Sequence, residues 1–383
     1  MSVTAPPAAP IDGGSEPPPP NTSSHNVPPK LKFGRSEGFQ RALKQRVDEY
    51  FTSNKVGMRD VPSMYLKTFT ILVWMAASYV GLVFFATSLW VAIPLAMSLA
   101  LAVAACGFNI QHDGGHKGYS ENKIVNRVMA FGLDLIGGSS YVWNFKHNAM
   151  HHIYANIHGY DDDLNIGPLA RLSPHQDRYA AHRFQHFYLW FLYGFAAMKW
   201  HFWDDFFNVA AGHLAGHPFK RPTGLEFVFF FGGKLVFYSW ALIIPMFFHP
   251  ITTVIGFYVL TSMMVGVVIS VIFQLAHCVE EADFPLPDDQ ARIESEWMIH
   301  QLETTVDFSR GNPFLCWYLG GLNMQAIHHL FPQICHVHYP NISRIVEKTC
   351  LEYDVPYKAH RSLPAAVASH YRWLRRLGQP DAA

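Results

Sequence analysis

Two stretches of this chain carry no Asp, Glu, Lys or Arg: Thr68 to Gln111, and Leu235 to Val279. A membrane-crossing helix needs about 20 mostly apolar residues, so each stretch has room for two helices and a tight turn. The turns fall near Thr87–Trp90 and near Phe248–Thr252, where His249-Pro250 interrupts the pattern. The pattern predicts four spanning helices, at about 66–86, 90–110, 229–248 and 252–274. Two shorter apolar stretches, 129–142 and 184–200, are too short or too polar to read as spans. Aromatic clusters such as Phe184–Trp190 fit either a helix at a membrane interface or a buried cytosolic core. Residues 1–30 hold nine prolines and almost no large apolar side chain, so they cannot bury enough surface to offset the entropy of ordering. They read as a disordered tail without the basic start and apolar run of a signal peptide. A membrane domain is expected over 31–370, with a C-terminal tail over 371–383.

Composition sharpens this picture. Half of the 383 residues are hydrophobic and only 15% are charged, against roughly 25% in soluble proteins. Lys+Arg and Asp+Glu are equal at 29, which leaves no basic excess to attract nucleic acid. Nine Lys or Arg residues fall within 30–67, and neither hairpin turn holds one. The positive-inside bias therefore places both termini, and the region between the hairpins, in the cytoplasm. The expected architecture is an all-α multi-pass membrane protein: four transmembrane helices in two hairpins, with a cytosolic helical cap. The five cysteines are scattered and form no CxxC pair, as expected of reduced thiols.

Histidine is the outlier, at 22 residues. Each apolar run ends in one: Gln111-His112-Asp113-Gly114-Gly115-His116 after the first, Gln274-Leu275-Ala276-His277 after the second. Two further clusters are His147-Asn148-Ala149-Met150-His151-His152 and Gln325-Ala326-Ile327-His328-His329. On a helix, residues four apart share a face, so His112/His116 and His147/His151 each form a pair able to chelate one ion. Neighbours such as His151/His152 and His328/His329 diverge by about 100° and suit two centres better than one. With His277 the set has eight imidazoles, too many for a single ion. Two metals with open positions fit the count, and imidazole suits Fe, Cu, Zn or Ni. The HExxH zinc pattern, the Glu-x-x-His of carboxylate di-iron bundles, the P-loop, GxGxxG and the nucleophile elbow are all missing. Histidine-bound metals at a membrane face point to redox chemistry on a lipid. An acyl methylene offers neither an acidic proton nor a leaving group, so a metal oxidant has to supply the chemistry.

These boxes, in this order, resemble the membrane fatty acid desaturase superfamily over about 35–360. The resemblance extends to Trp143-Asn144-Phe145-Lys146-His147, to His151-His152-Ile153-Tyr154-Ala155-Asn156-Ile157, and to Gly321-Leu322-Asn323-Met324-Gln325 before His328-His329-Leu330-Phe331-Pro332. It is similar to the acyl-lipid and linoleoyl-CoA-type desaturases. The resemblance implies a non-haem di-iron site, use of O2, and removal of two hydrogens from a fatty acyl chain to leave a cis double bond. The acyl carrier is CoA, a carrier protein or a membrane lipid. The implied iron ligands are His112, His116, His147, His151, His152, His328 and His329, with His277 as an additional one. Gln325 stands where many members have His, a form similar to that of front-end desaturases, and is assigned a supporting place behind the ligands. Asp113, Asp161 and Asp163 are assigned to orient ligating imidazoles. No HPGG haem motif occurs, so a separate ferredoxin or cytochrome b5 with its reductase is the implied electron donor. Arg171, Arg178 and Arg183 each read first as part of a solvated face, and second as a docking face for an acidic donor or a CoA phosphate.

Three rivals stand beside this reading. A lipid hydroxylase or acetylenase would share the scaffold. A membrane haem electron carrier would need one histidine from each of two helices, not adjacent pairs. A metal transporter would need ionisable residues within its spans. Of Asp, Glu, Lys and Arg, the four predicted spans hold away from their ends only Lys234, near the start of the third.

Overall fold

Proline opens the first long helix. Pro62 sits in its first turn, where a missing N–H costs nothing, and the helix continues to Phe85. A three-residue link leads to the second, Leu89–Gly115. The third and fourth are Leu225–Met246 and Ile251–His277. These four are long and apolar enough to cross a membrane, and they overlap the four segments expected from the sequence. The computed structural model describes residues 29–35, 38–214 and 216–380. The expected N-terminal tail lies outside the described residues except for Pro29 and Lys30.

Much of the surface of the four long helices is left uncovered. Trp90 is 91% exposed and Phe247 79%, both at the ends farthest from the histidines, and Leu66, Phe69, Leu235 and Ile251 are also exposed. A soluble protein rarely presents so much contiguous apolar surface, whereas lipid covers it without cost. The inward faces form the main core, with Ile71, Leu99, Val103, Phe108, Val265, Ile269 and Ile272. Trp74 Nε1 donates to Ser98 Oγ at 2.8 Å and ties the first long helix to the second.

A second core lies beyond the histidine ends. The helix Phe39–Asn54 buries Phe39, Leu43, Val47 and Phe51. These pack with Ile327 and Leu330 of the short helix Gln325–Leu330 and with Ile342 and Val346 of the helix Tyr339–Glu352. Burying four such side chains stabilises by about 1.5–3 kcal/mol each, which fixes the third histidine box from behind. Among the described residues, β-structure is limited to three two-residue pairings. Lys32–Phe33 runs parallel to Arg292–Ile293, Asp307–Phe308 parallel to Ala359–His360, and His213–Leu214 antiparallel to His217–Pro218.

One boundary differs from the sequence expectation. The last helix runs Leu363–Leu377 and buries Trp373, Leu374 and Leu377, so the packed body continues past 370. Its first turn is capped by Ser362 Oγ, which accepts from Ala365 N. The stretch 184–200 is helical, with several of its aromatic side chains exposed.

Candidate metal centre

Box one sits at the end of the second long helix. A π-helical segment, Cys106–Gln111, widens the turn just before it; such insertions are frequent at functional sites. The two glycines of His112-Asp113-Gly114-Gly115-His116 allow close packing. A Cβ on Gly114 would stand 2.6 Å from Ala130 N, and one on Gly115 would stand 2.3 Å from the Trp143 ring. Box two rides on another π-helical segment, Asn144–His151, which passes directly into the turn His152–Tyr154. This wider repeat corrects the sequence geometry. It brings His151 and His152 to either side of His147, where an α-helix would splay them. His277 is the last residue of the fourth long helix. Box three is the short helix Gln325–Leu330, whose first turn is held by Ala326 N donating to Asp307 Oδ1 at 2.9 Å.

All eight histidines are buried and converge. His112, His116, His147 and His328 present one nitrogen each, all within 4.8 Å of one another, and His151, His277 and His329 do the same. His152 lies between the groups. Its Nε2 is 3.1 Å from His147 Nε2 and 2.9 Å from His328 Nε2, while its ring stacks on His329 with centroids 4.3 Å apart. His147 also stands with His151 and Asp163 in a further set within 4.8 Å, so the pair expected to share one ion does come together, whereas His328 and His329 divide between the two groups.

The donor set fits metal. Nitrogens bound at right angles to one ion at about 2.0–2.1 Å lie about 3 Å apart, and the Nε2 contacts fall there. His112, His116 and His151 each leave a buried Nε2 without a hydrogen-bond partner, as His152 and His277 leave Nδ1. Unsatisfied buried nitrogens are costly, and an ion would satisfy several at once. Burial, reinforced by neighbouring imidazoles, pushes His116, His147, His152, His328 and His329 well below the usual histidine range. They are therefore neutral near pH 7, the form that binds metal. His151 moves the other way: burial lowers it, but the Asp161 carboxylate, with Asp163, more than offsets this.

The supporting residues differ in part from those expected. Asp161 stands against His151, its oxygens 3.1 and 3.2 Å from Nδ1, and it also accepts from Asn156 N at 3.0 Å. Asp163 is more distant, 3.5 Å from His151 Nδ1, and half-shared with Lys146 at 3.2 Å. Asp113 touches none of the eight. It accepts from His336 Nδ1 at 2.8 Å, and Lys67 Nζ donates to His336 Nε2 at 2.8 Å. The reason is direction: following His112 on the helix, Asp113 points away from the cluster toward the buried Lys67. Gln325, expected behind the ligands, instead has its amide among them. Its Nε2 lies 3.2 Å from His277 Nε2 and 3.4 Å from His329 Nε2. Arg171, expected on a solvated or docking face, is instead buried and spent on the carbonyls of Pro174, Gln176 and Leu377. Arg178 donates to Gly378 O.

Other contacts were not anticipated. His329 Nδ1 donates to Gln301 Oε1 at 2.7 Å, and His328 Nδ1 is 3.3 Å from the Tyr339 hydroxyl. Asn156 Nδ2 donates to the carbonyls of His277, Asp283 and Thr304, holding the end of the fourth long helix. None of these carries a sequence signal of its own except Asn156, which lies within the His151–Ile157 run.

Below the histidines, an apolar cavity of about 380 Å³ lies among the four long helices, with Ile136 and His201 also in its wall. Val103, Ile136 and Val265 line its near part, and Leu89, Pro245 and Val254 line its far part. Val103 precedes His112 by nine residues, about 13 Å along the helix.

A family model described as fatty acid desaturase matches residues 88–361. The chain is 40% identical over 353 residues to an sn-1 linoleoyl-lipid 6-desaturase of Synechocystis sp., covering 91% of this chain and 98% of that protein. It is also 40% identical to a protein of the same description from Arthrospira platensis, covering 91% and 95% of the two. An acyl-lipid (8-3)-desaturase of Physcomitrium patens is 38% identical, over 90% of this chain and 72% of that protein.

Proposed function

This chain belongs to the fatty acid desaturase family, and on that premise we propose that it uses two irons to place a cis double bond in a lipid-bound acyl chain. It is an oxidoreductase that desaturates fatty acyl chains. Two buried histidine groups, with His152 packed against both, carry the proposal of a paired centre. When bound there, iron supplies an oxidant strong enough for an unactivated C–H bond. His112, His116, His147 and His328 would hold one ion and His151, His277 and His329 the other, with His152 between them. Gln325, whose amide lies beside His277 and His329, would stand next to the second group, which has one imidazole fewer than the first. Asp161 and Gln301 accept the outer N–H of His151 and His329 and keep each ring's inner nitrogen pointed at its ion.

The remaining work falls to the apolar parts of the chain. The cavity accepts the methyl end of the acyl chain and excludes water. Trp143, stacked on His147 at 4.5 Å, closes one side of the centre. Dioxygen takes up four electrons and the two departing hydrogens supply two, so a donor must deliver two more, with two protons, to leave two waters. We assign that delivery to a ferredoxin, or to cytochrome b5 with its reductase. The four long helices cross the membrane as two hairpins, with both termini and the histidine cap in the cytoplasm. The related 6-desaturases support a linoleoyl chain on a glycerolipid as substrate, with the new bond on the carboxyl side of the existing ones.

Purified protein in lipid, supplied with reduced ferredoxin and O2, tests this. Mass spectrometry of the released acyl chains should find a product two mass units lighter, with one added cis bond. An oxygen-bearing product would instead make the chain a hydroxylase.

A further inference from the structure

Residues 185–211 stand apart from the rest of the histidine end. They form the helices Gln185–Tyr193 and Ala196–Lys199, a π-helical turn Trp200–Asp204, and the helix Asp205–Ala211. The first limb descends along the fourth long helix. The carbonyls of Tyr193 and Gly194 lie against Gly266, and His201 Nδ1 pairs with the Tyr258 hydroxyl at 2.7 Å. The second limb climbs back along the third long helix. Phe202 stacks on Tyr238 at 5.5 Å, Asp205 Oδ2 pairs with Lys234 Nζ at 2.6 Å, and Phe206 meets Phe230 at 5.7 Å.

These partners give the depth of the bend. Tyr258 is seven residues from Ile251 and Tyr238 eight from Met246. At a rise of 1.5 Å per residue the bend therefore stands only about 10–12 Å from the helix ends opposite the histidines. A hydrocarbon layer about 30 Å thick, drawn around the four long helices from those ends, contains it. On the outer side of the segment, Phe187, Phe191, Phe195, Phe202, Trp203 and Phe207 are 42–63% exposed. That face continues onto the exposed Phe231 and Leu235 of the third long helix. The charges within the segment are all paired: Asp205 with Lys234, both buried, as suits intramembrane charges, and Lys199 with Asp204 at 3.1 Å, where the Lys199 side chain is 60% exposed.

We propose that residues 185–211 are a re-entrant elbow. It enters and leaves the hydrocarbon layer on the histidine side, and its aromatic face contacts lipid acyl chains. His201, at the tip, also lines the apolar cavity, so the elbow is a cavity wall with lipid on its outer side.

Nitroxide labels on single cysteines test this in phosphatidylcholine vesicles. Phe191→Cys, Phe195→Cys and Phe207→Cys are each placed in a Cys316→Ser background, which removes the one cysteine that is not buried. Leu235→Cys serves as the lipid reference and Asp289→Cys as the water reference; both sites are exposed. The elbow labels should collide with O2 as often as Leu235→Cys does, and with a water-soluble nickel chelate several-fold less often than Asp289→Cys does. Nickel collisions at the Asp289→Cys level would place the elbow in water and overturn the proposal. Protection from both quenchers would mean that a protein surface, not lipid, covers this face, and would overturn it too. Exposed aromatic sites tolerate cysteine without a core defect, and melting curves of the labelled proteins check that they are folded.

Discussion

Asp161 is the carboxylate that most directly orders the cluster, because both its oxygens lie within 3.2 Å of His151 Nδ1. Asp161→Asn keeps the shape but removes the charge that holds His151 in the tautomer with Nε2 free. Loss of such a partner typically costs about 10–100-fold in metal affinity or activity. Iron titration of the metal-free protein should show that loss, and an unchanged affinity would make Asp161 a structural group only. At the same scale, Lys67 explains why Asp113 is not on a ligand. A lysine buried in the first long helix needs a counter-charge, and His336 carries the connection from Nζ to the Asp113 carboxylate. Removing one partner of a buried pair strands the other at a cost of about 3–5 kcal/mol. Lys67→Met should accordingly lower the melting temperature by several degrees, and much of that loss should return in the double variant with Asp113→Asn.

Between elements, the short helix of the third box depends on Asp307. Its carboxylate accepts from Ala326 N and from the Tyr357 hydroxyl at 2.6 Å. Burial raises Asp307 to about 6, and those two bonds hold it from rising further. An acid whose folded pKa is above its unfolded value binds more protons when folded, so stability falls as pH rises from about 4 to about 6 and is level beyond. Denaturation of wild type and Asp307→Asn over that range should show the difference shrinking at the wild type's expense. A pH-independent difference would contradict the buried-acid reading. The elbow gives a second test at this scale. A Cβ on Gly266 would stand 2.5 Å from Gly194 O and 2.6 Å from Tyr193 O, backbone atoms that move only with the whole limb. Gly266→Ala should cost about 1–3 kcal/mol. Gly256→Ala, on the same helix with nothing within 4 Å, should be neutral or mildly stabilising.

Across the whole molecule, what could be read from the sequence was what depends on local pattern. Two charge-free runs located the four long helices, because crossing lipid requires uninterrupted apolar length. Clustered histidines marked the centre, since few other uses gather so many imidazoles. Contacts made by chain reversal were not legible. Gln301, Tyr339 and Lys67 reach the cluster or its surroundings from distant segments, and nothing in their own neighbourhoods announces it. The π-helical segment under the second box is not legible either, because the i, i+4 histidine spacing fits an α-helix as well as a π-helix. The elbow was ambiguous for a related reason. Its aromatic stripe suits an interface, a core or lipid equally well until its neighbours on the third and fourth long helices are known.

The central claim is a pair of irons held by eight histidines. Elemental analysis of gently purified, iron-replete protein tests it most directly, with His151→Ala prepared alongside. About two non-haem irons per chain, falling in the variant, is the result expected of two imidazole-lined centres. Haem iron, or an iron-free protein whose content the variant does not alter, would contradict it.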